Sequence, residues 1–181
     1  NRQAAWDFVL STKRPGYLPL FLEAATQAAG DLPTRLRALE AVQRVAAQEG
    51  LALEAVVPLL NDPEEKVQSA AVNLMHALNT NESRSAIQAV LIDTSKPVGV
   101  RRSGVRALSG NKSGSLLLLD LAEQGQLPQD LVIDVREATH SSPFEDIRLM
   151  AEQILPRDVT AEGQVLPPLK ELTAMAGSPE Q

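Results

Sequence analysis

Arg101, Arg102 and Arg106 form the densest group of chemistry-bearing side chains in the sequence. A guanidinium is planar, permanently charged and matched to carboxylate or phosphate, so this cluster could form a basic patch for an anionic partner. The favoured reading is a solvated helix face whose charges also meet neighbouring carboxylates. No aromatic residue is interleaved, and stacking on aromatics is what single-stranded nucleic acid requires. The two histidines, His76 and His140, stand apart in the sequence. His76 falls opposite Val67 on its helical wheel and reads as solvated. His140 sits near a helix C-terminus, where positive charge is favourable. A metal site needs converging ligands at suitable spacing, and neither histidine has an obvious set. Asp62, Glu64 and Glu65, like Glu145 and Asp146, fall in first helical turns, where negative charge is stabilising. Capping accounts for them without any acid–base role. SGNKSGS, from Ser109 to Ser115, lacks both the Gly-x-Ser-x-Gly elbow and the phosphate-loop order, so it reads as an inter-helix turn. Met75, Met150 and Met175 read as packing residues. With no cysteine, disulfides, thiolate metal sites and cysteine nucleophiles are excluded from this sequence. No catalytic residue, cofactor-binding residue or metal ligand is assigned, and the segment reads as non-catalytic.

The elements that would position these residues are helices. Hydrophobic residues make up 44% of the 181 but aromatics only 3%, so Leu, Val and Ala must build the core, which suits close helix packing. The net charge of -6 argues against a broad nucleic-acid surface. No apolar stretch approaches the roughly 18 residues of a membrane span. The chain begins at Asn1 rather than Met, without a visible signal peptide, and is expected to be a piece of something longer.

Taken in order, Gln3 to Leu10 suits a short helix. Leu18, Phe21, Leu22, Ala25, Ala28 and Ala29 trace a helical stripe stopped at Gly30, and Leu36, Leu39, Val42 and Ala46 trace another halted near Gly50. An apolar run carrying Pro58 reads as a helix ending at Asn61. Asp62 is then expected as N-cap, Pro63 at the first helical position and Glu65 completing a capping box. Val67, Ala70, Ala71, Leu74 and Leu78 form the buried face of that next helix. Glu82 to Ile92 follows. The segment from Pro97 to Leu108 is disfavoured by Gly99 and Gly104, about 1 kcal/mol each, unless a neighbour packs closely against them. Leu116 to Gln124, a helix opened by Pro128, and a helix behind a Ser142–Glu145 capping box complete the series, the last with Ile147, Met150, Ala151, Ile154 and Leu155 inward. Pro33, Pro63, Pro97 and Pro128 recur at separations of 30, 34 and 31 residues, a period that marks stacked repeats. One helix pair cannot bury both its faces, so each needs a neighbour.

The segment PLLNDPEEKVQSAAVNLMHAL resembles a HEAT repeat: Pro58 in the first helix, Asp62-Pro63 in the turn, then Val67, Ala70-Ala71 and Leu74 in the second. The family often has Arg after that Val, where this chain has Gln68. Pro97 to Leu108 keeps Val100-Arg101 and Val105, and Pro33 to Val45 keeps the apolar phase. The resemblance, which covers about Leu18 to Leu155, implies an all-α fold, an α-solenoid of stacked helical hairpins forming a HEAT-like superhelix, and the repeat region is placed at residues 1–156. Residues 157–181 would form a Pro/Gly-containing linker with at most one short helix, Leu169 to Met175. It implies a scaffold or interaction module whose partners are proteins or neighbouring domains of the same chain. Second helices usually line the concave side in that family, which makes Gln68, Arg101, Arg102, Arg106 and Arg136 the places to look for a partner. A HEAT-like DNA glycosylase would want a basic groove with aromatics, and both are missing. From ILPRDVTAEGQ onward the chain is also similar to the region before the haem-binding domain of large exported proteins of planctomycete-type bacteria. That similarity implies a periplasmic or exported spacer between a dehydrogenase-like domain and a cytochrome c domain. The parent would be an oxidoreductase carrying haem c in a following domain. No Cys-x-x-Cys-His occurs here, so no residue of this chain inherits a haem role.

Overall fold

The computed structural model describes residues 16–27, 30–49 and 53–157, with side chains in the second stretch described through 45. Among them are eight α-helices and no strand: α1 (Leu18–Thr26), α2 (Leu32–Glu49), α3 (Glu65–Leu78), α4 (Asn81–Ile92), α5 (Val98–Ser109), α6 (Lys112–Glu123), α7 (Val132–His140) and α8 (Glu145–Ile154). Short 3-10 turns lie at Leu53–Ala55, Val57–Asn61 and Gln129–Leu131. The expected helix at Gln3 to Leu10 and the expected linker with its Leu169 to Met175 helix lie outside the described residues.

The helices begin where the prolines allow. A proline pushes the preceding residue out of the α region, so a helix starts at or just after it. Pro63 precedes α3 by two residues, Pro97 is the N-cap of α5, and Pro128 caps the 3-10 turn that runs into α7. The apolar run at Val57–Asn61 is a 3-10 turn rather than the expected α-helix. Pro58 offers no amide hydrogen there, and the turn closes through Leu59 N–H to the Val56 carbonyl at 3.0 Å. α3 stops at Asn79, whose φ of 50° is the left-handed conformation that ends helices. Thr80 and Ser83 then exchange reciprocal hydrogen bonds of 3.1 and 3.0 Å and open α4.

Every substantial contact between α-helices joins elements no more than two helices apart in chain order. α2 packs on α3, α3 on α5 and α5 on α7; α6 and α7 both pack on α8. The core follows this line of contacts from Leu18 and Phe21 to Leu131 and Val135, with Leu119, Ile147 and Ala151 as a smaller cluster under α8. The expected faces are largely buried: Val67, Ala71 and Leu74 in α3, Ile87, Val90 and Leu91 in α4, and Val100, Gly104, Ala107 and Leu108 in α5. α3 buries Val72 and Met75 as well, because helices flank it on more than one side. Met150, expected inward, is exposed.

The two glycines of α5 differ in what a side chain would meet there. A Cβ at Gly104 would lie 3.5 Å from Ile87 Cγ2 and 3.6 Å from Leu91 Cβ, and one at Gly99 would run into the Glu65 carboxylate. Gly99 thus leaves room for the Glu65 side chain, while Gly104 makes only ordinary contacts with α4. α6 starts four residues earlier than expected, inside the glycine- and serine-rich stretch. Asn111 caps it by accepting from Gly114 N–H at 2.9 Å. Gly114 packs against the Leu108 backbone, where a Cβ would sit 2.8 Å from Leu108 Cα.

Candidate interaction surface

One position recurs in four helices. The fourth residue of α2, α3, α5 and α8 is Arg35, Gln68, Arg101 and Arg148, and each side chain reaches back to a carbonyl of the segment before its helix. Arg35 Nε donates to the Ala25 carbonyl at 3.0 Å and Gln68 Nε2 to that of Asp62 at 2.6 Å. Arg101 Nε donates to the Lys96 carbonyl at 3.2 Å and an Arg148 guanidinium nitrogen to that of Ser142 at 2.7 Å. One turn into a helix is where a long polar side chain can satisfy the preceding turn without leaving its own apolar face.

Two of these arginines also bridge to the next turn along. Arg35 makes a bidentate pair with Asp62, and both side chains are buried. Burial pushes the Asp62 carboxyl up, but the Arg35 hydrogen bonds, the Glu64 amide and the Arg35 charge outweigh it and hold the carboxyl below its ordinary value. Arg101 makes the same bidentate pair with Asp130, at 2.9 and 2.5 Å. Hydrogen bonding from Arg101 holds the Asp130 carboxyl below the usual range. Asp62 is therefore not an N-cap. Its Oδ1 accepts from Glu64 N–H at 3.0 Å, Glu64 takes the N-cap position, and the carboxylate serves a buried ion pair. Ser142 repeats the turn, accepting from Phe144 N–H at 3.3 Å, so the capping box expected there is also not formed.

Outside these joints two grooves adjoin. One, of about 760 Å³, runs between α2, α3 and α5 over Leu36, Lys66, Ala70, Asn73 and Gly99. The other, of about 370 Å³, lies between α5 and α7 and is lined by Arg102, Asp134, Glu137 and Ser141. Gly99 and Arg106 line both. Arg106 is exposed, donates to Ser103 Oγ at 3.1 Å and forms no ion pair among the described residues. Arg102 Nε meets Asp134 at 3.0 Å.

The residues singled out from the sequence thus separate. Arg102 and Arg106 line the grooves. Gln68 and Arg101 are not surface groups: both are buried and occupied at the joints. Arg136 is half-buried on α7 and lines neither groove. His76, expected to be solvated, is half-buried against Gly110, where a Cβ would come within 3.0 Å of the ring. His140 is buried, with Nε2 2.8 Å from the Leu155 carbonyl. Sequence reasoning missed Arg35, Asp62 and Asp130 as partners. The available signal was their separation, since 27 and 29 residues come close to the proline period.

Among the described residues no group of three or more His, Cys, Asp or Glu gathers as a metal site, and no helix is long and apolar enough to cross a membrane. No family model, curated protein or solved structure matches the chain.

Proposed function

We propose that this chain is a non-catalytic scaffold, an α-solenoid of HEAT-like helical hairpins that holds a protein partner or neighbouring domain along the grooved face of α3, α5 and α7. The observation that carries this reading is the restriction of helix packing to near neighbours. A molecule built that way grows by addition of pairs and offers long lateral surfaces instead of one enclosed cavity. The grooves support the placement, because Ala70 and Ser103 line the larger one with small side chains, while Arg106 brings charge to both and Arg102 to the smaller. The reading assigns no cofactor and no nucleic acid to this segment.

Photo-crosslinking tests it. A crosslinking amino acid placed at Asn73 or Arg106 should trap one discrete partner in cells, whereas the same group at exposed Ser85 on α4 should not. Equal trapping from both positions, or turnover of a nucleic-acid substrate by the purified chain, would overturn the scaffold reading.

A further inference from the structure

His140 ends α7 and is buried, yet its ring touches three groups that belong to the far end of α8. Nε2 lies 2.8 Å from the Leu155 carbonyl. A carbonyl oxygen only accepts, so Nε2 carries a hydrogen in every protonation state of the ring that keeps this bond. In the neutral ring Nδ1 is then a lone pair. Two groups compete for it: Arg157 Nε–H donates to it at 3.1 Å, and a Glu152 carboxylate oxygen stands 3.2 Å away. A neutral ring can satisfy the arginine and repels the carboxylate. A protonated ring does the reverse, because Nδ1–H has Glu152 to donate to and the guanidinium loses its acceptor while facing a like charge.

We propose that His140 is a proton-operated latch at the exit of α8. When neutral it clasps Arg157; when protonated it exchanges Arg157 for Glu152, and the bond to Leu155 keeps α7 and α8 joined in both states. Glu152 and Arg157 are the charged groups that meet the ring from α8 and the turn after it. On α7 itself Arg136 and Glu137 lie one turn before His140. On the other elements packed against α7, Arg101 pairs with Asp130, Arg102 with Asp134 and Lys112 with Asp146, Arg148 donates to the Ser142 carbonyl, Arg106 to Ser103 Oγ, and Asp120 accepts from Gln124; no hydrogen bond or ion pair among the described residues joins Glu123 or Glu145 to the ring. The exchange therefore turns on two side chains, both exposed and both replaceable without opening the core. The latch stands apart from the scaffold proposal, since it uses neither groove.

The test is nitrogen-detected NMR of the imidazole rings in the full chain across pH 5–8, with His76 as an internal reference. The neutral His140 ring should be the Nε2–H tautomer. At pH 5 the Nδ1–H of the protonated ring should be protected from exchange by Glu152, and Glu152→Ala should remove that protection while the Leu155 bond stays. Arg157→Gln removes the guanidinium donor to the neutral ring and should leave the pH 5 protection of Nδ1–H in place. The Arg157 Nε–H signal should lose its exchange protection as His140 protonates. An Nδ1–H tautomer of the neutral ring, Nδ1–H protection at pH 5 that survives Glu152→Ala, or Arg157 protection that ignores pH would each overturn the latch.

Discussion

Replacing Asp62 with alanine should be among the most destabilising single changes in the chain, and the structure indicates why. The Arg35 side chain is 2% exposed and that of Asp62 7%. Without the carboxylate, Arg35 keeps its bond to the Ala25 carbonyl but holds an uncompensated buried charge, which costs about 3–5 kcal/mol. The lost bond to Glu64 N–H adds about 1 kcal/mol. Arg35→Met fills similar volume and leaves Asp62 with only the Glu64 amide, so it should cost about 2–4 kcal/mol. The double substitution leaves no orphaned charge, and its cost should fall below the sum of the single costs by at least about 2 kcal/mol. Urea denaturation reads all three, with a midpoint shift of about 2 M for Asp62→Ala at the slopes usual for small proteins. The carboxyl is held below its ordinary value when folded, so its contribution is complete above the unfolded carboxylate range, near pH 4, and is lost as pH falls through the lower folded value. The gap between wild type and Asp62→Asn should therefore narrow below about pH 4. A cost for Asp62→Ala under about 1 kcal/mol, or additivity of the two single changes, would refute a buried, coupled pair.

Three further outcomes follow from the joints. Gly104→Ala meets only ordinary contacts and gains helix propensity, so it should raise Tm by about 2–4 °C, while Gly114→Ala runs into the Leu108 backbone and should lower Tm. Arg101→Ala should cost about 1–3 kcal/mol in urea, through lost stem packing and an orphaned Lys96 carbonyl, whereas exposed Arg102→Ala should stay within about 0.5 kcal/mol. Gln68→Met should be nearly neutral, within about 1 kcal/mol, because the lost bond to the Asp62 carbonyl is offset by removing the buried, unpartnered Gln68 Oε1.

Much of the helical framework was legible because it rests on short-range rules. Val67, Ala71 and Leu74 recur at helical spacing and are buried in α3, and the prolines mark where helices can begin. At Asp62 and at the start of α6 a distant contact settles what a local preference leaves open. Asp62 looks like a cap because Asp-Pro before a helix usually is one. Pro63 holds it extended, with ψ of 144°, its Oδ1 takes the Glu64 amide two residues on, and α3 waits until Glu65. Lys112 to Ser115 looks like a turn because of its glycine and serines, yet Gly114 is needed there so that α6 can lie against the end of α5. Nothing within a few residues of either site announces the partner.

The arginines of α5 were legible as a group and not as individuals. Arg102 and Arg106 are four residues apart and share a face, while Arg101 is turned about 100° from Arg102 and enters the joint. The wheel alone separates them, but only the neighbouring helices reveal which side is open. The residue separation supplies the missing index: Arg35 with Asp62 and Arg101 with Asp130 are the same kind of contact at two joints. Gln68 occupies the corresponding place in α3, and there the arrangement is inverted. Lys96, from the later turn, reaches back to the Leu60 carbonyl at 2.8 Å and to Asn61 Oδ1 at 2.7 Å. The cation comes from the following unit instead of the preceding one, and its acceptors are neutral. The joint between α3 and α5 is thus tied without a carboxylate, so it should keep its polar tie at a pH where the joint at Asp62 has lost its charge.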